Sequence, residues 1–283
     1  MSAESLPLLL RSFGLTTMAG LWEETVARAQ QENWEYARLL QHLCESEAQD
    51  RRERRTRRLL KAARLPDGKT LGNLKEKLLP PKVRQLLPGL LEGHFVERAE
   101  NVLALGLPGR GKTHFLAALA RELILRHDYP VLFTPTFKLV QRLLTAKKGL
   151  CLESELRELD RYPVLILDDL GYVQQDREEM EVLFTFLAER YERRTVMISS
   201  NLVFSKWDQI FKDPMTAMAA IDRLVHHAVI LEFNGQSLRA QKAQEREERA
   251  GTSVCPLGST PSLTPGGVKD SVTPKGQTPE GPK

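Results

Sequence analysis

Cysteine is scarce in this chain of 283 residues: Cys44, Cys151 and Cys255 are odd in number, far apart and without CxxC spacing. A disulfide framework or a thiolate zinc site is therefore not expected, and a reducing cytosol is the natural compartment. No uninterrupted apolar run approaches a membrane span. The opening, MSAESLPLLLRSFG, holds a short apolar stretch from Leu6 to Leu10 with no basic residue before it, unlike a secretory signal. A cytoplasmic protein without membrane contact is expected. A strong excess of one charge is also lacking. Lys and Arg number 41 against 37 Asp and Glu, a formal net charge of +4, so overall charge names no partner. There is no internal repeat.

What is present divides into three regions. Residues 1–98 read as a helical, increasingly basic N-terminal domain. Residues 99–245 alternate apolar strand-like runs with helical stretches. Residues 246–283 are dominated by Gly, Pro, Ser and Thr, which bury too little apolar surface to offset ordering entropy, so this tail is expected to be disordered.

In the first region Leu15, Met18 and Trp22 fall at helical spacing, as do Leu39, Leu40 and Leu43. One long helix is expected from Asn33 to Ala63, ended by Pro66, Asp67 and Gly68, with Pro80, Pro81 and Pro88 breaking up the stretch after it. Trp34 and Tyr36 are expected in the core. The second half of the helix carries Arg51, Arg52, Arg54, Arg55, Arg57, Arg58, Lys61 and Arg64 against a single acid, Glu53. Such a stripe attracts a phosphate backbone and releases its counterions. It equally suits a solvated face paired with Glu45, Glu47 and Asp50.

The middle region holds five apolar runs suited to strands: Asn101–Leu105, Val131–Thr134, Val164–Leu167, Val196–Ser199 and Val229–Phe233. Most lack polar alternation, the mark of parallel strands covered on both faces. Helical stretches separate them, including Thr113–Arg126, Phe137–Ala146 and Glu178–Arg193, so an α/β layered fold with a parallel sheet is predicted.

Between the first run and its helix lies Gly106-Leu107-Pro108-Gly109-Arg110-Gly111-Lys112-Thr113, which fits GxxxxGK[ST]. The glycines permit turns that aim successive N–H groups at phosphate oxygens, and the following helix adds its N-terminal positive end. Lys112 can reach the β and γ phosphates of ATP, and the Thr113 hydroxyl can ligate Mg²⁺. Arg110 either touches nucleotide or a neighbour, or is a variable loop position.

The run Val164–Leu167 ends in Asp168 and Asp169. Beside a phosphate loop, Asp168 would hold Mg²⁺ through water and Asp169 would polarise the attacking water. The competing reading is an acidic turn that caps the next helix. The run through Ser199 ends in Ser200 and Asn201. If it neighbours the Asp168 strand, Asn201 can orient the lytic water. Otherwise it is a turn residue. Arg223, in Ile221-Asp222-Arg223-Leu224-Val225, is a candidate for an arginine supplied across a subunit boundary, or a surface residue paired to an acid. Arg239 is a weaker candidate. His226 and His227 have no further metal ligand at suitable sequence spacing, so a solvated helix end is expected there.

Taken in order, Gly106 to His114, Leu165 to Gly171, Arg190 to Arg194, Ser199 to Leu202 and Asp222 to His226 resemble the IstB-like ATPases, helper proteins of IS21-type insertion sequences. These belong with the DnaC-type helicase loaders in the AAA+ class. The resemblance covers roughly residues 8–240. It implies a three-layer P-loop NTPase preceded by a small all-α domain. Lys112 and Thr113 then fall in Walker A, whose loop with His114 contacts the nucleotide. Asp168 and Asp169 match Walker B, Asn201 matches sensor 1, and Arg223 matches an arginine finger. ATP-dependent oligomerisation, binding of duplex DNA with little sequence preference and partnership with a transposase are the implied activities. A helicase loader and a small-molecule kinase on the same loop are the alternatives. Two features depart from the family pattern: the extra tail, and the lack of an evident helical lid after Phe233, which puts a sensor 2 role for Arg239 in doubt.

Overall fold

The computed structural model describes residues 5–74, 79–171, 177–202 and 221–234. The tail from residue 246 and Arg239 lie outside the described residues.

Five helices come first: α1 (Leu6–Ser12), α2 (Thr16–Gln31), α3 (Tyr36–Ala62), α4 (Pro81–Leu91) and α5 (His94–Glu97). The predicted long helix is α3. It starts at Tyr36, three residues later than expected, after Asn33 turns through a left-handed φ of 51°. Tyr36 corrects one expectation. It stands 87% exposed at the N-terminus of α3 and belongs to no core. Trp34 is half-buried, with its indole N–H donating to Glu32 and the Arg38 guanidinium 4.4 Å over its ring. Pro88 corrects another. It lies inside α4, which runs on to Leu91, while Pro81 starts the helix where a missing N–H is harmless.

α2 and α3 form an antiparallel pair stitched by Glu47. This carboxylate is only 3% exposed and accepts the backbone N–H groups of Thr17 (2.8 Å) and Met18 (3.1 Å) in the first turn of α2. A side chain from the neighbouring helix thus caps α2, whose own N-cap position is Leu15 and offers no cap. Arg51 (2.8 Å) and Arg54 (3.5 Å) pair with the same carboxylate.

The apolar runs form β1 (Asn101–Leu105), β2 (Val131–Pro135), β3 (Val164–Leu170), β4 (Thr195–Ser200) and β5 (Ala228–Glu232). All pair in parallel, in the order β2-β3-β4-β1-β5. Every residue of β1 and β4 is buried, polar Asn101, Thr195, Ser199 and Ser200 included, as a parallel sheet covered on both faces requires. The helices α6 (Lys112–His127), α7 (Thr136–Lys148), α8 (Leu152–Leu159) and α9 (Arg177–Arg190) cover the two faces.

Alternation along β1 sorts its side chains into two cores. Val102 and Ala104 face Phe115, Leu119 and Leu123 of α6 and Val83, Leu87 and Phe95 of α4 and α5. Leu103 and Leu105 face Leu139 and Leu143 of α7 and Leu183 and Phe186 of α9. Leu59, Leu60 and Ala63 join the first core, and the Ala63 carbonyl accepts the N–H of Phe133 in β2. The C-terminal end of the basic helix is therefore fixed to the edge of the sheet.

Candidate nucleotide site

Parallel strands all end on one edge, and β4 lies between β1 and β3. The loop after β1, the acids of β3 and the polar end of β4 must therefore meet.

The loop Gly106–Gly111 leaves β1 and enters α6. Gly106 has φ +139°, and a Cβ there would stand 2.5 Å from the Phe233 carbonyl oxygen, so only glycine fits. Gly111, the N-cap of α6, has φ 90°. Leu107 and Pro108 are exposed at the loop tip. Arg110 donates to the Phe233 carbonyl (3.2 Å), which fixes the loop to the segment after β5.

Lys112 is 4% exposed. Its ammonium reaches back into the loop and donates to the carbonyls of Gly106 (2.6 Å) and Leu107 (3.0 Å) and to Asn201 Oδ1 (2.8 Å). Asn201 Nδ2 donates in turn to Asp169 Oδ1 (3.4 Å). The Thr113 hydroxyl donates to Asp168 Oδ1 (2.8 Å), and Ser199 donates to the same oxygen (2.6 Å). Burial pushes the Asp168 carboxyl above its ordinary pKa; the Ser199 and Thr113 hydroxyls and Lys112 pull the other way, while the adjacent Asp169 adds to the rise.

β3 continues past Asp168 to Leu170, correcting the expected end at Leu167, and its register with β4 shifts between Leu167 and Leu170. Within that irregularity Asp169 takes φ 58°, a left-handed conformation that strains a non-glycine residue. Its N–H donates to Ser199 Oγ (2.8 Å), and the Asp168 carbonyl accepts from Thr136 Oγ1 (2.9 Å). The strain turns the Asp169 carboxylate toward Asn201. Ser199 and Thr136 were absent from the residues singled out in the sequence. The available signal was a hydroxyl at the C-terminal end of a buried strand.

These donors fit a magnesium-bound triphosphate. An ammonium and the start of a sixteen-residue helix face one loop. A hydroxyl and a carboxylate, both hard oxygen donors, sit 2.8 Å apart beside it. The carboxylate is disfavoured as an anion by burial and by a second acid, a charge balance that a divalent cation restores.

The remaining singled-out residues lie elsewhere. His114 Nε2 meets the Thr70 carbonyl (3.0 Å), which links the first turn of α6 to the loop following α3. Arg223 lies in the helical residues 221–226 that lead into β5, at the sheet edge where strands begin. Five residues of β1 separate the two edges, about 15 Å at strand rise. Arg52, Arg55, Arg57, Arg58 and Lys61 on α3, and Arg64 just past its end, are exposed with no ion pair among the described residues. Arg51 and Arg54 are committed to Glu47, and Arg54 also to Asp50 (3.0 Å).

Comparison with known proteins agrees with this geometry. The sequence profile described as IstB-like ATP binding protein matches residues 9–246. The chain is similar to an insertion-sequence ATP-binding protein of Sinorhizobium fredii, at 40% identity over 87% of this chain and 83% of that one. It is similar to the insertion sequence IS21 ATP-binding protein of Pseudomonas aeruginosa, at 36% identity over 79% and 84%. Among solved structures, AMPPCP-bound DnaA from Aquifex aeolicus superposes with a TM-score of 0.51 at 17% identity, over 68% of this chain and 58% of that chain. That likeness concerns the fold, which is the AAA+ P-loop fold.

Proposed function

We propose, from the premise that this chain belongs to the IstB-like ATP-binding protein family, that it is a cytoplasmic ATPase whose nucleotide state controls assembly on duplex DNA for a cognate transposase. The observation that carries this reading is the chain of contacts from Lys112 through Asn201 to Asp169, beside the Thr113–Asp168 pair.

The geometry supports a role for each residue. Lys112 and the N–H groups of the 106–113 loop bind the β and γ phosphates. Thr113 and Asp168 hold Mg²⁺, which when bound neutralises phosphate charge and orients the γ phosphate. Asp169 accepts a proton from the attacking water, and Asn201 positions that water while touching both Asp169 and Lys112. Arg223, on the opposite sheet edge, serves a neighbouring copy's site rather than its own, so turnover depends on assembly. His114 holds the start of α6 against the loop that follows the basic helix. The exposed cations from Arg52 to Arg64, on α3 and just past its end, contact the phosphate backbone without reading bases.

The relatives named above are insertion-sequence proteins, which supports a transposition partner over a helicase. The test is ATP turnover with and without duplex DNA of unrelated sequences. Stimulation by any duplex supports the reading, and turnover indifferent to DNA contradicts it.

A further inference from the structure

The sheet edge opposite the nucleotide site brings together three ligand-bearing side chains that the sequence keeps apart. Glu192, in the turn between α9 and β4, meets His226, the last of the helical residues 221–226, and His227, which follows it. One ligand atom from each lies within 4.8 Å of the others. The pair His227 Nε2 and Glu192 Oε1 stands at 3.5 Å, and the two imidazole centroids are 4.2 Å apart. We infer that Glu192, His226 and His227 form a binding site for a divalent transition-metal ion of the zinc class.

Three observations support a site rather than a chance meeting. First, the backbone beneath it is fixed from within. Buried Asn101 donates its N–H to the His227 carbonyl (2.7 Å) and its Nδ2 to the Leu224 carbonyl (3.1 Å), and it accepts the N–H of Val196 (2.9 Å). Across the site, Arg190 is 3% exposed and donates to the carbonyls of Leu159, Tyr162, Pro163 and Thr195, anchoring the turn that carries Glu192. Burial lowers its guanidinium pKa to about 10. Second, Glu192 sits at φ 55°, a strained left-handed conformation for a residue with a side chain, and this directs its carboxylate toward the histidines. Third, His226 Nδ1 is 2.9 Å from the Tyr191 hydroxyl. That contact holds the His226 ring against the turn that carries Glu192.

Two imidazoles and one carboxylate suit Zn²⁺, with water as a fourth ligand, and suit Mg²⁺ poorly. Ligand atoms about 2.0–2.2 Å from a tetrahedral ion stand about 3.3–3.6 Å apart, so the exposed side chains need to close by up to about 1.5 Å. The ion would cross-link the helical residues carrying Arg223 to the α9–β4 turn. Metal binding itself does not depend on any role of Arg223.

The test uses tag-free full-length protein with its three cysteines alkylated and Mg²⁺ in large excess, so that thiols and the Thr113–Asp168 pair cannot report. Zn²⁺ titration by calorimetry should saturate at one ion per chain, and Co²⁺ should give a tetrahedral visible absorption band. Replacement H227A or E192Q should weaken Zn²⁺ binding about tenfold or more, and Zn²⁺ should raise the melting temperature of the wild type but not of these variants. All three positions are exposed, so metal-free melting should be unchanged. Absence of saturable binding, or equal affinity in wild type and both variants, overturns the site.

Discussion

Lys112 and Asn201, 89 positions apart, are joined by a 2.8 Å hydrogen bond from the ammonium to the amide oxygen. The same amide group turns its nitrogen toward Asp169. One side chain at the end of β4 therefore touches both Lys112, proposed to grip phosphate, and Asp169, proposed to face the attacking water. Binding and hydrolysis should be separable at these positions.

Replacement of Asp169 by Asn keeps the shape and removes the base. Turnover should fall by about 10²–10⁴-fold, with ATP affinity within a few-fold of wild type by calorimetry. Asn201→Ala should lower turnover as well, and should alter ATP affinity more than Asp169→Asn because it removes one of the partners that position the Lys112 ammonium. Equal turnover in wild type and Asp169→Asn would remove Asp169 from the chemistry.

Arg223 cannot serve the site of its own chain if it stays at the opposite edge of the sheet. Arg223→Ala and Asp169→Asn should each be inactive alone. Mixed in equal amounts, they should recover part of the turnover, roughly a quarter for random pairing of neighbours. No recovery in the mixture would argue against an arginine supplied in trans.

The basic helix divides into structural and solvent-facing cations. Replacing Arg55, Arg57, Arg58 and Lys61 with Ala should weaken duplex binding for all sequences alike and lower the salt slope by about 1 for each phosphate no longer neutralised. Folding should be unaffected, since these side chains carry no ion pair among the described residues. Arg51→Ala or Arg54→Ala should instead loosen the α2–α3 pair. A salt slope unchanged in the quadruple variant would place the DNA surface elsewhere.

Glu47 makes the N-terminal pair of helices sensitive to acid. Burial opposes its charge, but the Met18 and Thr17 amides and Arg51 prevail and hold its carboxyl below the ordinary value of 4.5. A depressed carboxylate adds stability above its unfolded pKa and loses it as pH falls through the folded pKa. Thermal stability should therefore decline as pH drops below about 4.5. Glu47→Gln should cost about 1–3 kcal/mol at neutral pH and flatten this acid limb. An unaltered limb in the variant would assign the acid sensitivity to other groups.

Much of the fold was legible because the chemistry is local. The five strands are built on runs rich in Val, Ile and Leu, as a sheet buried on both faces requires. The phosphate loop declares itself through glycines whose backbone shapes no other residue adopts, as Gly106 against Phe233 shows. What escaped the sequence depends on long-range partners. Glu47 reads as one acid in a charged helix, and only the packing of α2 makes it a cap. Ser199 became a site residue through the local break in β3 register. His226 and His227 stand exposed at a helix end, as their sequence reads, and only the fold sets Glu192, 34 positions before His226, beside them. Tyr36 was expected in a core because it is aromatic, yet α3 begins there, where no element covers it.

The most direct measurement is the mass of the particle formed by the wild type and by Lys112→Ala, with and without ATP and duplex DNA, by light scattering. The wild type should form a multi-copy complex only when both ATP and DNA are present, and Lys112→Ala should remain small under every condition. Assembly on DNA without ATP, or to the same extent by Lys112→Ala, would contradict control by the nucleotide.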